Sequence, residues 1–300
     1  MRVGLIALVI AACTSPVEHG VVAQDLTKCA DQAVEGLDVY TGTGTIDWTQ
    51  VSGSGRGFAF IKATQGDYNV QTSFATNWSA ALAAGVKRSP YHFFDGTIDG
   101  VAQANTFLAE VASAGDFQVG DLPAMLDIEC PTSSVQANAQ ANCEHSGDSG
   151  WIAPPVLKQR IYDWLDTVEA ATGRKPIIYS YPSWFGELGM TDAKMTDYPL
   201  FIASYNSCAT IPQPWTDAVF WQYSATGSVA GIAGGVDLDR FFGTADDLNA
   251  FTIQPPAATP DAGVDPMMPP EKPAGCGCRS AGSPGWAALG ILLILRRRRR

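Results

Sequence analysis

The sequence predicts an α/β fold in which a closed β-barrel carries incomplete helical cover. From about Gly36 to Phe251, apolar strand-like runs alternate with helical patterns. The runs are apolar almost throughout, as parallel strands buried on both faces are. Seven or eight strands in roughly 215 residues fit a closed barrel better than a doubly wound open sheet, which remains the alternative. The last strands are joined by links too short for helices, so we expect incomplete cover.

Eight apolar runs are the candidate strands. In chain order they are GLDVY (36–40), FAFIKAT (58–64), RSPYHFF (88–94), LPAMLDIE (122–129), PIIYSY (176–181), LFIASY (200–205), VFWQYS (219–224) and VDLDRF (236–241). The first run continues into TGTGTIDW, which lacks the glycine spacing of a dinucleotide-binding loop. A nucleotide-binding open sheet is therefore not indicated.

Three helices are predicted from apolar residues at helical spacing, each followed by a glycine stop. The first has the stripe Phe74, Trp78, Ala81 and Leu82 and stops at Gly85; the second has Val101, Leu108 and Val111 and stops at Gly115. The third begins near Pro154–Pro155, has Leu157, Ile161, Trp164, Leu165 and Val168, and stops at Gly173.

The composition and charge limit the classes of protein to which the chain can belong. The chain has 300 residues, is 46% hydrophobic and has a formal net charge of −11. A body this acidic argues against electrostatic binding of nucleic acid. The five arginines at 296–300 follow an apolar stretch, so we interpret them as a membrane-topology signal.

The N-terminal residues 1–24 have the pattern of an export signal. MRVGLIALVIAACTS combines an arginine, a short apolar run and small residues before Cys13. This resembles a bacterial lipobox, which implies a lipidated Cys13; cleavage after Ala12 or near Ala23 is the alternative. Either interpretation predicts an exported protein of the cell envelope, the cell surface or the extracellular space.

The C-terminal residues are expected to lie outside the folded body. Residues 253–274 are rich in Pro, Ala and Asp and predict an extended linker. Residues 275–300 join Cys276 and Cys278 to a short apolar stretch and the arginine run. This tail resembles the sorting tails of myxobacterial surface proteins, which implies anchoring in the cell envelope. A plain membrane anchor is the alternative, although the stretch is shorter than the ~20 residues of a spanning helix.

Four further cysteines predict two disulfides in an exported domain. They are Cys29, Cys130, Cys143 and Cys208, which allow three pairings. We favour Cys130–Cys143, which closes a short polar loop, and Cys29–Cys208. A metal site is less strongly indicated, because no Cys-x-x-Cys spacing occurs and the chain has only three histidines.

Carboxylates on strand ends mark a candidate site. Because side chains alternate along a strand, Asp127 and Glu129 share a face with Met125, which we expect to point to the barrel axis. They fall at the carboxyl end of their strand, where barrel enzymes hold their chemistry. Asp38 in the first strand and Asp237 in the last should approach them, because these strands are neighbours in a closed barrel. Asp239 shares the face of Asp237.

Aromatic residues accompany these acids: Tyr91, Phe93, Tyr179, Tyr181, Tyr205, Trp221 and Tyr223. Several acids among aromatics predict a sugar site, in which crowding raises a carboxyl pKa and so supplies a protonated acid. The alternatives are loop-capping acids, a site for a hard cation, and aromatics that belong to the core. His92 fits a buried histidine, and no other histidine is placed to support a nucleophilic triad.

The ordered motifs resemble glycoside hydrolase family 25, the Chalaropsis-type lysozymes. The motifs are GLDVYTGTGTIDWTQV, FAFIKATQG, AGVKRSPYHFF, PAMLDIE, PIIYSYPSWF, LFIASY and FWQYSATGSVAGIAGGVDLDRF. The resemblance spans roughly residues 34–251. It implies a flattened TIM-like barrel and a muramidase that cleaves the β-1,4 bond between N-acetylmuramic acid and N-acetylglucosamine in peptidoglycan. The implied partner is the glycan strand. We expect a monomer, and because acid catalysis by carboxylates needs none, we expect no cofactor and no metal.

The resemblance also implies roles for four carboxyls. Glu129 would be the general acid and Asp127 would orient or stabilise, with Asp38 and Asp237 completing the set. The second step would use either the acetamido group of the substrate or an activated water. Gln65 stands where the family often has glutamate, which would alter binding or pH preference. The longer loop Thr132–Gly150 would overhang the cleft. A non-catalytic wall-binding module and a different glycosidase remain the alternatives.

Overall fold

The computed structural model of the chain describes residues 25–129, 154–187 and 192–255. All of these residues belong to one compact unit, which ends at Pro255. The predicted export signal, the tail, most of the linker and the loop Thr132–Gly150 lie outside the described residues. The same holds for Cys13, Cys130, Cys143, Cys276 and Cys278, and therefore for the predicted Cys130–Cys143 bond.

Eight strands form a closed barrel, as predicted, so the alternative of an open sheet is wrong. They are β2 (Ala33–Val39), β3 (Phe58–Gln65), β5 (Lys87–Phe93), β6 (Met125–Asp127), β7 (Ile177–Ser180), β8 (Leu200–Ala203), β10 (Phe220–Gly227) and β11 (Val236–Phe242). Their order around the barrel is β2-β11-β10-β8-β7-β6-β5-β3, and β3 pairs with β2 to close it. The short strand β4 (Asn69–Val70) extends from β3.

The last strand departs from the prediction of a parallel sheet. β11 runs antiparallel to both of its neighbours, β10 and β2, whereas the other barrel pairings are parallel. The short link between β10 and β11 has no room for a crossover helix, so the chain turns back as a hairpin. As a result the start of β11, with Asp237, lies at the same barrel end as the carboxyl ends of the parallel strands.

Three of the described α-helices, the second to the fourth in chain order, were predicted from the sequence, and the other three were not. The described α-helices are α1 (Trp48–Gly53), α2 (Phe74–Ala83), α3 (Gly100–Ser113), α4 (Pro154–Thr172), α5 (Pro182–Glu187) and α6 (Ala245–Phe251). Each predicted glycine stop has positive φ: 74° at Gly85, 105° at Gly115 and 67° at Gly173. The structure corrects the prediction that Leu82 and Val101 belong to the apolar helix stripes, because they are 47% and 42% exposed. Both lie at the edge of a helix stripe whose centre faces the barrel.

Two apolar layers surround the barrel wall. Inside it, large rings from opposite strands interlock, with Phe60 and Phe220 in an edge-to-face contact of 5.1 Å between centroids. Outside it, Leu126 and Ile128 belong to a larger apolar cluster that also contains helix residues such as Trp78. The alternation along β6 is therefore the predicted one, since Met125 belongs to the inner layer.

A small second sheet supports the barrel side that holds β10 and β11. It consists of β1 (Leu26–Lys28) and β9 (Ala209–Ile211), which pair antiparallel. The predicted disulfide Cys29–Cys208 is present at its end, with a Cα–Cα distance of 4.4 Å. It joins residues 179 apart in sequence. On the chain-entropy model such a link destabilises the unfolded state by about 5 kcal/mol.

Candidate active site

Four predicted carboxyls meet at the mouth of the barrel. Asp38 on β2 and Asp237 on β11 are directly paired in register and share a hydrogen bond, which requires a proton on one of them. Asp127 ends β6, and Glu129 follows two residues later on the same face. Repulsion from Glu129, Asp38 and Asp237 acts on Asp127. The structure therefore brings together the four acids that the sequence analysis selected.

Burial shifts the protonation of these acids. Burial, more than repulsion by the other carboxylates, holds the pKa of Asp38 and of Asp127 well above the usual range. Burial also raises the pKa of Glu129, while the Tyr179 hydroxyl and Lys62 act in the opposite direction. Glu129 is only partly buried, whereas Asp127 is 6% exposed. A partly exposed carboxyl that keeps its proton can act as a general acid.

Lys62 is a positively charged residue of the mouth that the sequence analysis missed. It lies on the inner face of β3, two residues beyond Phe60, and is 9% exposed. Its ammonium lies 4.2 Å from the centroid of the Phe93 ring and donates to Gln65 Oε1 at 3.0 Å. Burial lowers its pKa, while the charges of Asp127, Glu129 and Asp38 oppose that shift. Strand alternation from Phe58 and Phe60 could have located it, because Lys62 continues the same face.

Two aromatic residues of β10 that were predicted to line the sugar site, Trp221 and Tyr223, face away from it. Trp221 and Tyr223 belong to the outer layer: Trp221 Nε1 donates to the Ser204 carbonyl, and the Tyr223 hydroxyl donates to Glu35. Trp221 is 1% exposed, so it cannot line a cleft. The residue between them, Gln222, faces the barrel axis instead and was missed. Both faces of β10 carry large side chains, so the alternation of the sequence did not indicate which one turns inward.

Four of the five remaining predicted aromatics lie on the inner side or at the rim. Tyr91 and Phe93 are 6% and 7% exposed, so they form part of the barrel wall beside the acids and offer little free surface. The hydroxyl of Tyr179 donates to Gln222 Oε1 at 2.9 Å. Tyr205 follows β8 and is 60% exposed, and its hydroxyl donates to the same oxygen at 2.6 Å. Of these four aromatics, Tyr205 has the face most open to a ligand.

His92 and Asp239 are buried groups with different surroundings. His92 faces the helices, stacks on Trp164 at 5.5 Å and contacts the side chains of Thr64 and Gln103, so it is the structural histidine predicted. Burial lowers its pKa to about 3. Asp239 is 0% exposed, and neither carboxyl oxygen has a hydrogen-bond partner in the described part of the chain. Those residues also contain no group of three His, Cys, Asp or Glu side chains suited to a metal ion.

A closed β/α barrel whose mouth holds several buried carboxyls is suited to acid-catalysed cleavage of glycosidic bonds. The sequence model described as Glycosyl hydrolases family 25 matches residues 37–232. The chain belongs to this family and is a glycoside hydrolase.

The chain is also similar to individual proteins. Uncharacterized protein YegX of Escherichia coli (strain K12) is 34% identical over 230 residues, which are 74% of each chain. Lysozyme M1 of Streptomyces globisporus is 33% identical over 224 residues, which cover 73% of this chain and 71% of the relative. Among solved structures, the bacterial lysozyme from Streptomyces coelicolor superposes with a TM-score of 0.64 at 31% identity, covering 74% of this chain and 98% of that one.

Proposed function

We propose that the chain is an N-acetylmuramidase that hydrolyses the β-1,4 bond between N-acetylmuramic acid and N-acetylglucosamine in peptidoglycan, with Glu129 as general acid. The observation that carries the proposal is the position of Glu129, which is more exposed than its neighbour Asp127 within a group of mutually repelling carboxyls at the barrel mouth. The family and the similarity to Lysozyme M1 support the substrate.

The proposed reaction begins with transfer of the Glu129 proton to the glycosidic oxygen. The carbon–oxygen bond then breaks, and positive charge develops on the sugar ring. Asp127, close to Glu129 and with Oδ1 unpartnered among the described residues, is placed to accept the N–H of the acetamido group or to stabilise that charge, and the positive charge of Lys62 favours its ionised form against the effect of burial. Water completes the hydrolysis, and the proton that water loses restores Glu129. Asp38 and Asp237 hold one proton between them beside this pair.

The proposal extends to the whole chain. We infer that residues 34–251 are the catalytic domain, that residues 1–24 direct export, and that residues 253–274 and 275–300 are a linker and an envelope-sorting tail. The protein would then act on glycan strands in the cell envelope or outside the cell, as a monomer. No helix among residues 25–129, 154–187 and 192–255 has the length and apolar character to cross a membrane.

A digestion of purified peptidoglycan tests the function. The full-length protein, Glu129→Gln and the control Glu110→Gln would each be incubated with the wall, and new reducing ends would be reduced with borohydride and identified by mass. Glu110 lies on α3, outside the barrel mouth. We expect muramitol ends from wild type and from the control, and a rate at least ~100-fold lower from Glu129→Gln.

Other outcomes would contradict the proposal. Glucosaminitol ends would indicate cleavage of the other glycosidic bond. Binding to the wall without cleavage would favour the wall-binding module, and Gln65→Glu would then be the first variant to make. Muramitol ends at an unchanged rate from Glu129→Gln would remove Glu129 as the acid.

A further inference from the structure

Gln222 is the most connected polar side chain at the barrel mouth. Its Oε1 accepts two hydrogen bonds, from the Tyr179 hydroxyl at 2.9 Å and from the Tyr205 hydroxyl at 2.6 Å. Its Nε2 donates to Asp38 Oδ2 at 2.7 Å. The side chain is 3% exposed, so water has little access to these groups. Its amide thus joins strands β2, β7 and β10 with the loop that follows β8.

The amide points its oxygen at the two hydroxyls and its nitrogen at Asp38. The hydroxyls occupy both acceptor positions of the carbonyl oxygen. The nitrogen, which can only donate, is left to face Asp38 Oδ2. The arrangement therefore presents a fixed N–H donor to Asp38, and a donor of this kind favours the ionised carboxylate.

Each partner of Gln222 touches a different part of the proposed machinery. Asp38 shares a hydrogen bond with Asp237, and Tyr179 contacts the Glu129 carboxyl. Because the Tyr179 hydroxyl has one hydrogen, its donation to Gln222 competes with donation to Glu129. Tyr205 is 60% exposed and reaches solvent at the rim. Through one amide, the rim is connected to both carboxyl pairs.

We propose that Gln222 is a positioning residue that fixes the orientation of the Asp38 carboxyl and sets which acceptor receives the Tyr179 proton. This inference rests on the proposed function for its kinetic consequences, but the hydrogen bonding to Asp38 does not depend on it. The charged and titratable groups that face Asp38 are Asp237, Glu129, Asp127, Asp239, Lys62, Tyr91, Tyr179 and Tyr205.

Two substitutions separate positioning from structure. Gln222→Leu removes all three hydrogen bonds, and we expect kcat to fall by about 10- to 100-fold with KM changed by less than about 3-fold. In Gln222→Glu, a protonated carboxyl can still accept from both tyrosines and donate to Asp38, whereas the ionised form repels Asp38. The rate of Gln222→Glu relative to wild type should therefore fall by about 10-fold or more between about pH 4 and about pH 7.

The matched control is Gln103→Leu. Gln103 is also a fully buried glutamine with several hydrogen bonds, but its partners are His92 and the backbone of Asp95 and Ile98. We expect Gln103→Leu to lower the melting temperature without changing the pH profile of the folded enzyme.

If Gln222→Leu does not fold, Tyr205→Phe tests the proposal instead, because it keeps the ring and removes one donor to Gln222 Oε1. A kcat reduced about 3-fold or more in Tyr205→Phe supports the proposal. The control for this variant is Tyr198→Phe, because the Tyr198 hydroxyl contacts Asp166 outside the barrel.

A titration that needs no turnover completes the test. Carboxyl ¹³C resonances would be followed with pH, and the Asp38 signal would be assigned by its loss in Asp38→Asn. We expect the Asp38 pKa to rise by about 1 unit in Gln222→Leu. An unmoved Asp38 pKa, or a Gln222→Glu rate that follows wild type at every pH, would overturn the proposal. If wild type releases no muramitol, the proposed function fails, and this titration still decides the role of Gln222.

Discussion

At the scale of single residues, Asp239 is the carboxyl whose environment is least favourable to charge. It lies on the inner face of β11, paired in register with Gln222, and is fully buried. Neither oxygen has a hydrogen-bond partner among the described residues. Burial, together with the charges of Asp38 and Asp237, raises its pKa well above the ordinary value. Asp239 is therefore expected to be a neutral acid beneath the mouth.

Asp239→Asn should change how stability depends on pH. A raised folded-state pKa means that wild type loses stability as pH rises from the unfolded value of about 3.9 towards the folded value. The amide does not ionise, so the variant escapes this loss. We expect the variant to gain about 1–3 kcal/mol relative to wild type between about pH 4 and about pH 7.

Urea denaturation at several pH values measures this difference. The control is Asp247→Asn, because the Thr244 hydrogen bonds lower the pKa of Asp247 at the start of α6 and its contribution has the opposite sign. A stability difference between Asp239→Asn and wild type that does not change with pH would contradict the prediction.

At the scale of elements, the contact between α3 and α4 depends on the absence of a side chain at Gly100. A Cβ there would lie 1.9 Å from the Arg160 carbonyl oxygen of α4. Backbone cannot move aside as a flexible side chain can. Asp99 caps the same helix end by accepting from Ala102 N at 2.9 Å. The helix start is therefore fixed in position where the two helices approach most closely.

Gly100→Ala should push α3 and α4 apart and lower the free energy of unfolding by about 1–3 kcal/mol. Gly53→Ala is the matched control, since Gly53 ends α1 and a Cβ there meets nothing within 4 Å. We expect that control to be neutral or to stabilise by up to about 1 kcal/mol. Urea unfolding of both variants measures the contrast, and equal effects would show that the close approach is not limiting.

At the scale of the whole molecule, a net charge of −11 bears on how the protein meets its substrate. An acidic protein gains no long-range attraction to an anionic cell wall. Binding must then depend on contacts within the cleft, such as stacking on Tyr205 and hydrogen bonds, which salt screens weakly.

Wall binding should therefore depend weakly on salt. Sedimentation of Glu129→Gln with purified peptidoglycan between about 20 mM and about 500 mM NaCl should give affinities within about 3-fold of one another. Because Glu129 is the proposed general acid, this variant should leave the wall intact during the measurement. An affinity that falls 10-fold or more, as for a protein held by charge attraction, would refute this prediction.

The sequence by itself determined the closed barrel, the helix stops and the positions of Asp38, Asp127 and Glu129 on inward faces. These follow from local rules: strand alternation, helical spacing and glycine at positive φ act within a few residues. The pairing of Asp38 with Asp237 also followed, because closure makes the first and last strands neighbours.

Only the tertiary structure decided which face of β10 turns inward, that β11 runs antiparallel, and that Lys62 lies among the acids. A strand buried on both faces has no polar side to mark its orientation, so Trp221 and Gln222 were equally eligible from sequence. The direction of β11 depends on how a short link packs against the barrel. The charge and protonation of the mouth depend on groups from several strands that are distant in sequence. Such features arise from closure of the barrel, which local patterns do not encode.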